Sequence, residues 1–324
     1  MRHRLLGNTG LQVSPIGLGT LTWGRDTTLS EAEDIFNEFL AIGGNLIDTS
    51  PTYGEGAAES TVGEVLQQAQ ASRDDVVIVT KGGFVPAADG NRFSASKNAL
   101  LGSIDRSLRA LQTDYIDVYL LQRPDPMTPI EETLSTLDIA LRSGRIRYIG
   151  IANHSAWDTA QMHFLAQQLS TPLAAVSAEY SLLQRGVERE LLPGVQKAGL
   201  GFIAWSALAR GVLTAKYRHS TPPDSRAASP ILSGFVQPYL TERHSGIVEA
   251  VLATANGLDT SPTTVALAWL KNQPRVTSAL VGPRTGLQMK QIAEGAHFVL
   301  PQPLVDALND VSAIEVGYPE TNAR

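Results

Sequence analysis

Four polar side chains stand where short apolar runs of the sequence end. Asp48 follows NLI, Lys81 follows VVIVT, Gln122 follows VYLL and Asn153 follows IGIA. A carboxylate and an ammonium attract each other, and amides both donate and accept hydrogen bonds. If the apolar runs are strands of one parallel barrel, their carboxyl ends meet at a single rim. The four positions therefore predict a catalytic or binding site at that rim.

The apolar runs alternate with longer segments of helical spacing, which indicates repeated βα units. The eight runs are PIGLG, NLID, VVIVTK, IDVYLLQ, RYIGIAN, LAAVSAEY, GFIAWS and SALVG. Strands that are apolar almost throughout are typical of a parallel sheet covered by helices, and eight units can close a barrel. We therefore predict an α/β fold, a (β/α)8 TIM barrel, with an N-terminal β-hairpin that plugs one end.

A doubly wound open sheet is the competing fold. Its dinucleotide-binding fingerprint needs a third glycine, but Gly17-Leu18-Gly19 is followed by Thr22 at that position. No low-complexity linker or charge block divides the chain. We therefore expect one barrel domain over residues 1–324, with a long proline-containing loop at about 218–242 that closes over a ligand at the rim.

Local capping signals predict where several helices begin and end. A glycine is expected to end two of the helices in the left-handed conformation, at Gly43 and Gly144. The predicted starts are Ser30 with Glu33, Thr128 with Pro129 as first helical residue, Ser155 with Asp158, Ser261 with Pro262, and Thr285 with Gln288.

Composition narrows the class of protein. The chain has 324 residues, no cysteine and a formal net charge of −6 without long runs of either sign. Disulfides and thiolate chemistry are excluded, and binding to nucleic acid or to a membrane surface is not expected. The six histidines lack metal-ligand spacing, so no metal is predicted. Without a signal-like start or a long apolar stretch, we expect a cytoplasmic protein; the sequence indicates no oligomeric state.

From about Arg4 to about residue 300, the chain resembles the aldo-keto reductase superfamily, including bacterial members and the branch with potassium-channel β-subunit-like reductases. The matching motifs occur in order: LLGNTGLQVSPIGLGT, NLIDTSPTYGEGAAESTVGEVL, VVIVTKGG, TDYIDVYLLQRPDP, IRYIGIANHS, EYSLLQR, AWSALARGVLTAKY and ALVGPRTGLQM. The resemblance implies a (β/α)8 barrel that reduces a small-molecule carbonyl substrate with a nicotinamide cofactor.

The family's catalytic aspartate, tyrosine and lysine match Asp48, Tyr53 and Lys81. Hydride delivery to a carbonyl leaves an alkoxide, which needs a proton donor within hydrogen-bond reach. A tyrosine with an ordinary pKa of ~10 is a weak acid unless a cation lies beside it. We expect Lys81 to supply that cation, Asp48 to hold it, and Tyr53 to act as the general acid.

The fourth catalytic residue of the family is a histidine, and Gln122 stands in its place. A glutamine amide can donate an N–H to orient a carbonyl, but it cannot carry a proton through the reaction. We therefore expect Gln122 to retain the orienting role and to lose any proton relay.

The resemblance also implies the residues that bind the cofactor. Asn153 is retained for the nicotinamide amide, but Ala152, Ser177 and Ile292 depart from the family pattern. Arg284 and Gln288, beside the helix start at Thr285, could clamp a phosphate, which favours NADP(H) over NAD(H). The full set of cofactor positions is Thr20, Asn153, Ser177, Trp205, Ser206, Leu208, Arg210, Gly211, Lys216, Gly282, Arg284, Gln288 and Gln291.

Two other functions remain open at this point. One is a regulatory protein that binds the cofactor and hardly turns over. The other is reduction of an activated C=C bond, which some relatives carry out with a glutamate at the histidine position. The neutral Gln122 does not reproduce the acid that this glutamate provides. The substrate is not identified by the sequence, although Trp23, residues 84–93 and residues 218–242 are expected to form its walls.

Overall fold

Eight parallel strands close into a barrel in the computed structural model, which describes residues 1–69, 71–86, 92–223, 225–315 and 317–318. The predicted (β/α)8 barrel is confirmed, since each apolar run of the sequence supplies one strand. The barrel strands are β3 (Ile16–Gly19), β4 (Leu46–Asp48), β5 (Val77–Gly82), β8 (Ile116–Leu121), β9 (Ile146–Ala152), β10 (Leu173–Glu179), β11 (Gly201–Trp205) and β12 (Ser278–Val281). Each pairs with the next, and β12 pairs with β3 to close the ring.

Successive side chains of each strand point alternately into the barrel and out towards the helices, which produces two apolar layers. Side chains such as Leu46, Val79 and Leu120 fill the inside of the barrel. Their neighbours, such as Ile47 and Ile78, face the helices and join the larger core outside. Both faces of the sheet are therefore buried, which explains why the strands read as apolar almost throughout.

Short strands β1 (Arg4–Leu5) and β2 (Gln12–Val13) form the predicted antiparallel hairpin. Leu6 and Val13 are fully buried and belong to the same apolar cluster as the barrel-lining Val77 and Val79. The hairpin therefore closes the amino-terminal end of the barrel, and this prediction is confirmed.

Helices cover the outside of the barrel. They are α1 (Leu29–Ala41), α2 (Ala57–Gln68), α3 (Lys97–Ala110), α4 (Ile130–Arg142), α5 (Ala156–Gln168), α6 (Leu191–Lys197), α7 (Ser233–Val236), α8 (Glu242–Gly257), α9 (Pro262–Lys271), α10 (Gly286–His297) and α11 (Gln302–Val311). Across the described ranges, no helix combines the length and the apolar character that crossing a membrane requires.

Three of the predicted helix starts are confirmed. Ser155 forms a capping box with Asp158, Ser261 caps α9 with Pro262 in the first turn, and Thr285 accepts the backbone N–H of Gln288. Both predicted terminating glycines have positive φ, 78° at Gly43 and 78° at Gly144.

Two predicted starts are wrong. Helix α1 begins two residues earlier than predicted, because Thr28 and Glu31 form its capping box instead of Ser30 and Glu33. At α4, Pro129 occupies the N-cap position rather than the first helical position, and no side chain caps the helix. The Thr128 hydroxyl donates to Asp125 Oδ2 instead, at 2.7 Å, so it is not available to the helix.

Two segments lie over the carboxyl-terminal end of the strands. The first contains the hairpin β6 (Phe84–Val85) and β7 (Arg92–Phe93), which pairs antiparallel; residues 87–91 of the expected pocket wall lie outside the described residues. The second, residues 218–242, contains short helical turns at Arg226–Ala228 and Gln237–Tyr239 besides α7.

We expect the hairpin to contribute to stability through Leu6. Replacing it with alanine should lower the free energy of unfolding by ~2–5 kcal/mol, because a fully buried side chain is removed and a cavity remains. Urea unfolding followed by circular dichroism measures the change. Leu5→Ala is the matched control, since that side chain is 56% exposed; equal losses in both variants would contradict the role given to Leu6.

Candidate active site

The side chains at the barrel mouth follow from the alternation along the strands. In each case the residue two positions earlier lines the inside of the barrel: Leu46, Val79, Leu120, Ala175, Ile203 and Leu280. Because side chains two apart share a face, the next inward positions are Asp48, Lys81, Gln122, Ser177, Trp205 and Gly282. Asp48, Lys81 and Gln122 of the predicted rim therefore share one inward-facing layer above the apolar interior, whereas Asn153 follows the inward Ala152 of β9.

Asp48 and Lys81 form a buried ion pair between adjacent strands β4 and β5. The Lys81 ammonium donates to Asp48 Oδ1 at 2.6 Å, to Asp48 Oδ2 at 2.7 Å and to the backbone oxygen of Thr49 at 2.9 Å. Asp48 is 2% exposed and Lys81 is 4% exposed. The pair therefore has a fixed geometry that water hardly enters.

The Tyr53 hydroxyl completes this group. Lys81 Nζ lies 3.3 Å from the Tyr53 oxygen, to which it donates. Tyr53 opens a short helical turn after β4, and its backbone N–H is held by Ser50 O at 3.0 Å. Gly54 and Gly56 have φ of 57° and 96°, conformations that favour glycine, and they turn the chain so that α2 can begin directly afterwards.

Burial and the charge of a neighbouring group shift the pKa values of Lys81 and Tyr53 in opposite directions. Burial lowers the pKa of Lys81, but Asp48 and Tyr53 raise it and outweigh burial, so the ammonium stays charged. Burial raises the pKa of Tyr53 above its usual value, and Lys81 lowers it only in part. Lys81 thus lowers the pKa of Tyr53, as expected, but burial and the Asp48 carboxylate outweigh it in the net direction of the shift.

The backbone hydrogen bonding between β5 and β8 continues one residue past β8, at Gln122. Its backbone N–H donates to Gly82 O at 3.2 Å, which places it beside the strand that carries Lys81. Its Oε1 is buried and has no hydrogen-bond partner among the described residues.

Asn153 links the neighbouring strand ends to one another. Its Nδ2 donates to the backbone oxygen of Gln122 at 3.1 Å, and its Oδ1 accepts from the indole Nε1 of Trp205, also at 3.1 Å. The Trp205 ring stacks on Phe235, with an interplanar angle of 15°. The Asn153 amide is thus used on the backbone of Gln122 and on the indole of Trp205.

An open cavity of about 590 Å³ extends from Asp48 and Tyr53 past Trp205 to the start of α10. The residues predicted for the site that line it are Asp48, Tyr53, Trp205, Ser206, Leu208, Arg210, Gly211, Lys216, Gly282, Gln288 and Gln291.

Other predicted residues lie behind this lining. Thr20 is fully buried and donates its hydroxyl to the backbone oxygen of Asp48 at 3.1 Å. Ser177 is also fully buried, and its Oγ has no partner among the described residues. Lys81, Gln122 and Asn153, at the strand ends described above, are likewise not among the lining residues.

Two aromatic residues do not belong to the cavity lining, and one of them, Trp23, differs from expectation. Trp23, expected in the pocket wall, is fully buried in the core between the barrel and its helices, so it does not line the cavity. Tyr180, which follows β10, faces outward: its hydroxyl donates to Glu188 Oε1 at 2.7 Å and its ring packs on Phe202 and Trp269.

The segment after β11 has an unusual backbone. Ser206, Ala209, Arg210 and Gly211 have φ of 58°, 46°, 61° and 95°. Such conformations strain residues other than glycine and are kept only where the surroundings enforce them. Here Arg210 is held by a bidentate ion pair with Glu179, at 2.7 and 3.0 Å. Its guanidinium also lies over the Phe235 ring.

Arg226 lines the cavity and was not identified from the sequence, which pointed only to the loop around it. Its Nη2 donates to Gly282 O at 2.9 Å, which fastens the loop to the end of β12. Burial lowers the pKa of Arg226, and the nearby Arg284 charge acts in the same direction.

The start of α10 borders the same region. Gln288 Oε1 accepts from the backbone N–H of Arg284 at 2.8 Å, and Thr285 caps the helix. Arg284 itself is half-buried and does not line the cavity.

Comparison with known proteins identifies one family and several oxidoreductases to which the chain is similar. The model of the "Aldo/keto reductase family" matches residues 15–313. An oxidoreductase of Bacillus subtilis, YrpG, is 32% identical over 321 residues, covering 96% of each chain. L-glyceraldehyde 3-phosphate reductase of Escherichia coli K12 is 32% identical over 298 residues, covering 90% of this chain and 86% of the relative.

Proposed function

The chain belongs to the aldo/keto reductase family, and from that premise we propose that it reduces aldehydes or ketones to alcohols with NADPH, using Tyr53 as the general acid. The resemblance seen in the motifs is thereby confirmed, and the chain is a carbonyl-reducing oxidoreductase. The observation that carries the finer proposal is the half-buried Tyr53 beside the buried pair of Lys81 and Asp48, at one end of the long cavity.

The residues around the cavity fit a nicotinamide dinucleotide phosphate. Trp205 offers an aromatic face at the mouth, and Ser206, Leu208 and Gly211 offer backbone along the cavity wall. Cations Lys216 and Arg226 and the first turn of α10 lie towards its other end, where a phosphate would be bound. When bound, this cofactor supplies the hydride that reduces the carbonyl.

The role of Tyr53 follows from the opposing effects on its pKa. Because burial keeps the pKa above its usual value, the phenol holds its proton at neutral pH until a strong base appears beside it. An alkoxide forming within hydrogen-bond reach is such a base. Lys81 then stabilises the phenolate that remains, and Asp48 keeps the ammonium in place.

Gln122 would orient the carbonyl rather than move its proton. Its amide can donate to the carbonyl oxygen from the rim beside β5, but a carboxamide neither gains nor loses a proton near neutral pH, so it cannot serve as acid or base. Proton delivery therefore depends on Tyr53 alone in this proposal.

We further propose that the chain is one cytoplasmic domain acting on a small-molecule carbonyl compound, and that residues 218–242 close over the bound cofactor. The bond from Arg226 to Gly282 already joins this segment to the barrel rim. A relative that is named a reductase of an aldehyde phosphate supports aldehydes among the substrates.

Removal of the Tyr53 hydroxyl should abolish most of the activity. In Tyr53→Phe the rate of NADPH oxidation should fall by about 10²- to 10⁴-fold, since the proton donor is lost. Stopped-flow measurements over a panel of aldehydes and ketones would show this, with NADPH binding measured separately by fluorescence. Tyr318→Phe, on an 87% exposed side chain, is the control; an unchanged rate in Tyr53→Phe would refute the assigned role.

The cations beside the cavity predict a preference for NADPH. We expect kcat/KM for NADPH to exceed that for NADH, and Arg226→Leu to reduce this preference by about 10- to 100-fold, the worth of a hydrogen bond to a charged group. Steady-state kinetics with both cofactors test it. Arg218→Leu is the control, because that side chain lies in the same segment but pairs with Glu249 at 2.6 Å. Equal use of NADH by the unmodified protein would contradict the NADPH assignment.

A further inference from the structure

The side chain of Gln122 has a hydrogen-bond acceptor that the folded chain does not use. Its Oε1 is buried at the barrel mouth and has no partner among the described residues. Leaving a buried amide oxygen without a partner destabilises the folded chain, so such groups are rare unless something else supplies a donor. The position therefore calls for a donor that arrives with a ligand.

The neighbours of Gln122 on one side do not provide this donor. Asn153 uses its N–H on the backbone oxygen of Gln122, at 3.1 Å, and its carbonyl oxygen on Trp205. The inward position on β9 is Ala152, which has only a methyl group. Ser177, paired with Ala152 in register on β10, has a buried Oγ that is also without a partner in the described structure.

The neighbours on the other side have their donors directed elsewhere. Gln122 meets β5 through its backbone N–H, which donates to Gly82 O at 3.2 Å. The Lys81 ammonium donates to Asp48, to Thr49 O and to the Tyr53 oxygen. Gln122 therefore stands beside the strand that carries Lys81, with its own acceptor unpaired.

A carboxamide presents an N–H donor and a C=O acceptor side by side in one plane. A simple carbonyl substrate is an acceptor only, so it can pair with the N–H and leaves Oε1 unpaired. A substrate with a hydroxyl on the carbon next to its carbonyl brings an O–H donor to the neighbouring position. A neutral imidazole cannot match this pair, because its donor and acceptor nitrogens point in different directions.

We propose that Gln122 makes the site selective for 2-hydroxy aldehydes and 2-hydroxy ketones, with N–H donated to the carbonyl oxygen and Oε1 accepting from the adjacent hydroxyl. This inference rests on the proposed carbonyl reduction and names its substrate class. Gln122 is thus a specificity-determining residue, whereas Tyr53 and Lys81 act on any carbonyl that reaches them.

The test compares three small ketones under the same conditions. Hydroxyacetone carries the hydroxyl, butanone matches its size without an O–H, and methoxyacetone keeps a similar electron withdrawal without an O–H. With NADPH saturating, we expect kcat/KM for hydroxyacetone to exceed that for both comparison ketones by about 10- to 100-fold, as expected for pairing a buried acceptor.

Two variants test whether the ratio of kcat/KM for hydroxyacetone to that for the comparison ketones depends on the side chain of Gln122. In Gln122→His the ratio should fall to near one, whatever the absolute rate of the variant, because a donor is kept but the adjacent acceptor is lost. Gln168→His, on an exposed position of α5, is the matched control and should keep the full ratio. A ratio that survives Gln122→His would overturn the assignment to Gln122.

The remaining outcomes separate this inference from the proposed function. Measurable NADPH oxidation at equal kcat/KM for all three ketones would overturn the hydroxyl selectivity and leave carbonyl reduction standing. No NADPH oxidation with these ketones or with any aldehyde of a broad panel would overturn the proposed function, and the substrate class with it.

Discussion

A charged lysine buried at the mouth of the barrel requires a carboxylate beside it, and the candidate site depends on that pairing. Lys81 meets both oxygens of Asp48, at 2.6 and 2.7 Å, and both residues are nearly inaccessible to water. Breaking such a pair by removing one partner costs about 3–5 kcal/mol in proteins. The pair is therefore rigid, and Tyr53 can hold a defined position 3.3 Å from the ammonium.

The barrel provides this pairing through simple geometry. Neighbouring parallel strands bring Asp48 and Lys81 to the same rim, each two residues beyond an apolar side chain that fills the interior. At the opposite end, the hairpin buries Leu6 and Val13 against that interior. The polar groups are consequently gathered at one end, where the cavity of about 590 Å³ lies.

The sequence predicted the barrel well because eight apolar runs with helices between them leave few alternatives. Local capping was harder where two patterns overlap: Thr28 with Glu31 and Ser30 with Glu33 both satisfy the capping box, and only the folded helix selects the first. Arg226 gave no sequence signal, since its contact with Gly282 joins residues 56 apart. The net pKa shift of Tyr53 was also out of reach, because it depends on burial that no local pattern encodes.

The central claim is that Tyr53, supported by Lys81 and Asp48, gives its proton to a carbonyl oxygen at the barrel mouth. A crystal structure with oxidised cofactor and an unreactive amide, such as acetamide, tests this most directly. The account predicts the amide oxygen at about 2.6–3.2 Å from the Tyr53 hydroxyl, within hydrogen-bond reach, with the Lys81 to Asp48 pair intact. An amide oxygen bound beyond that reach, with the cofactor ring beside another side chain, would contradict it.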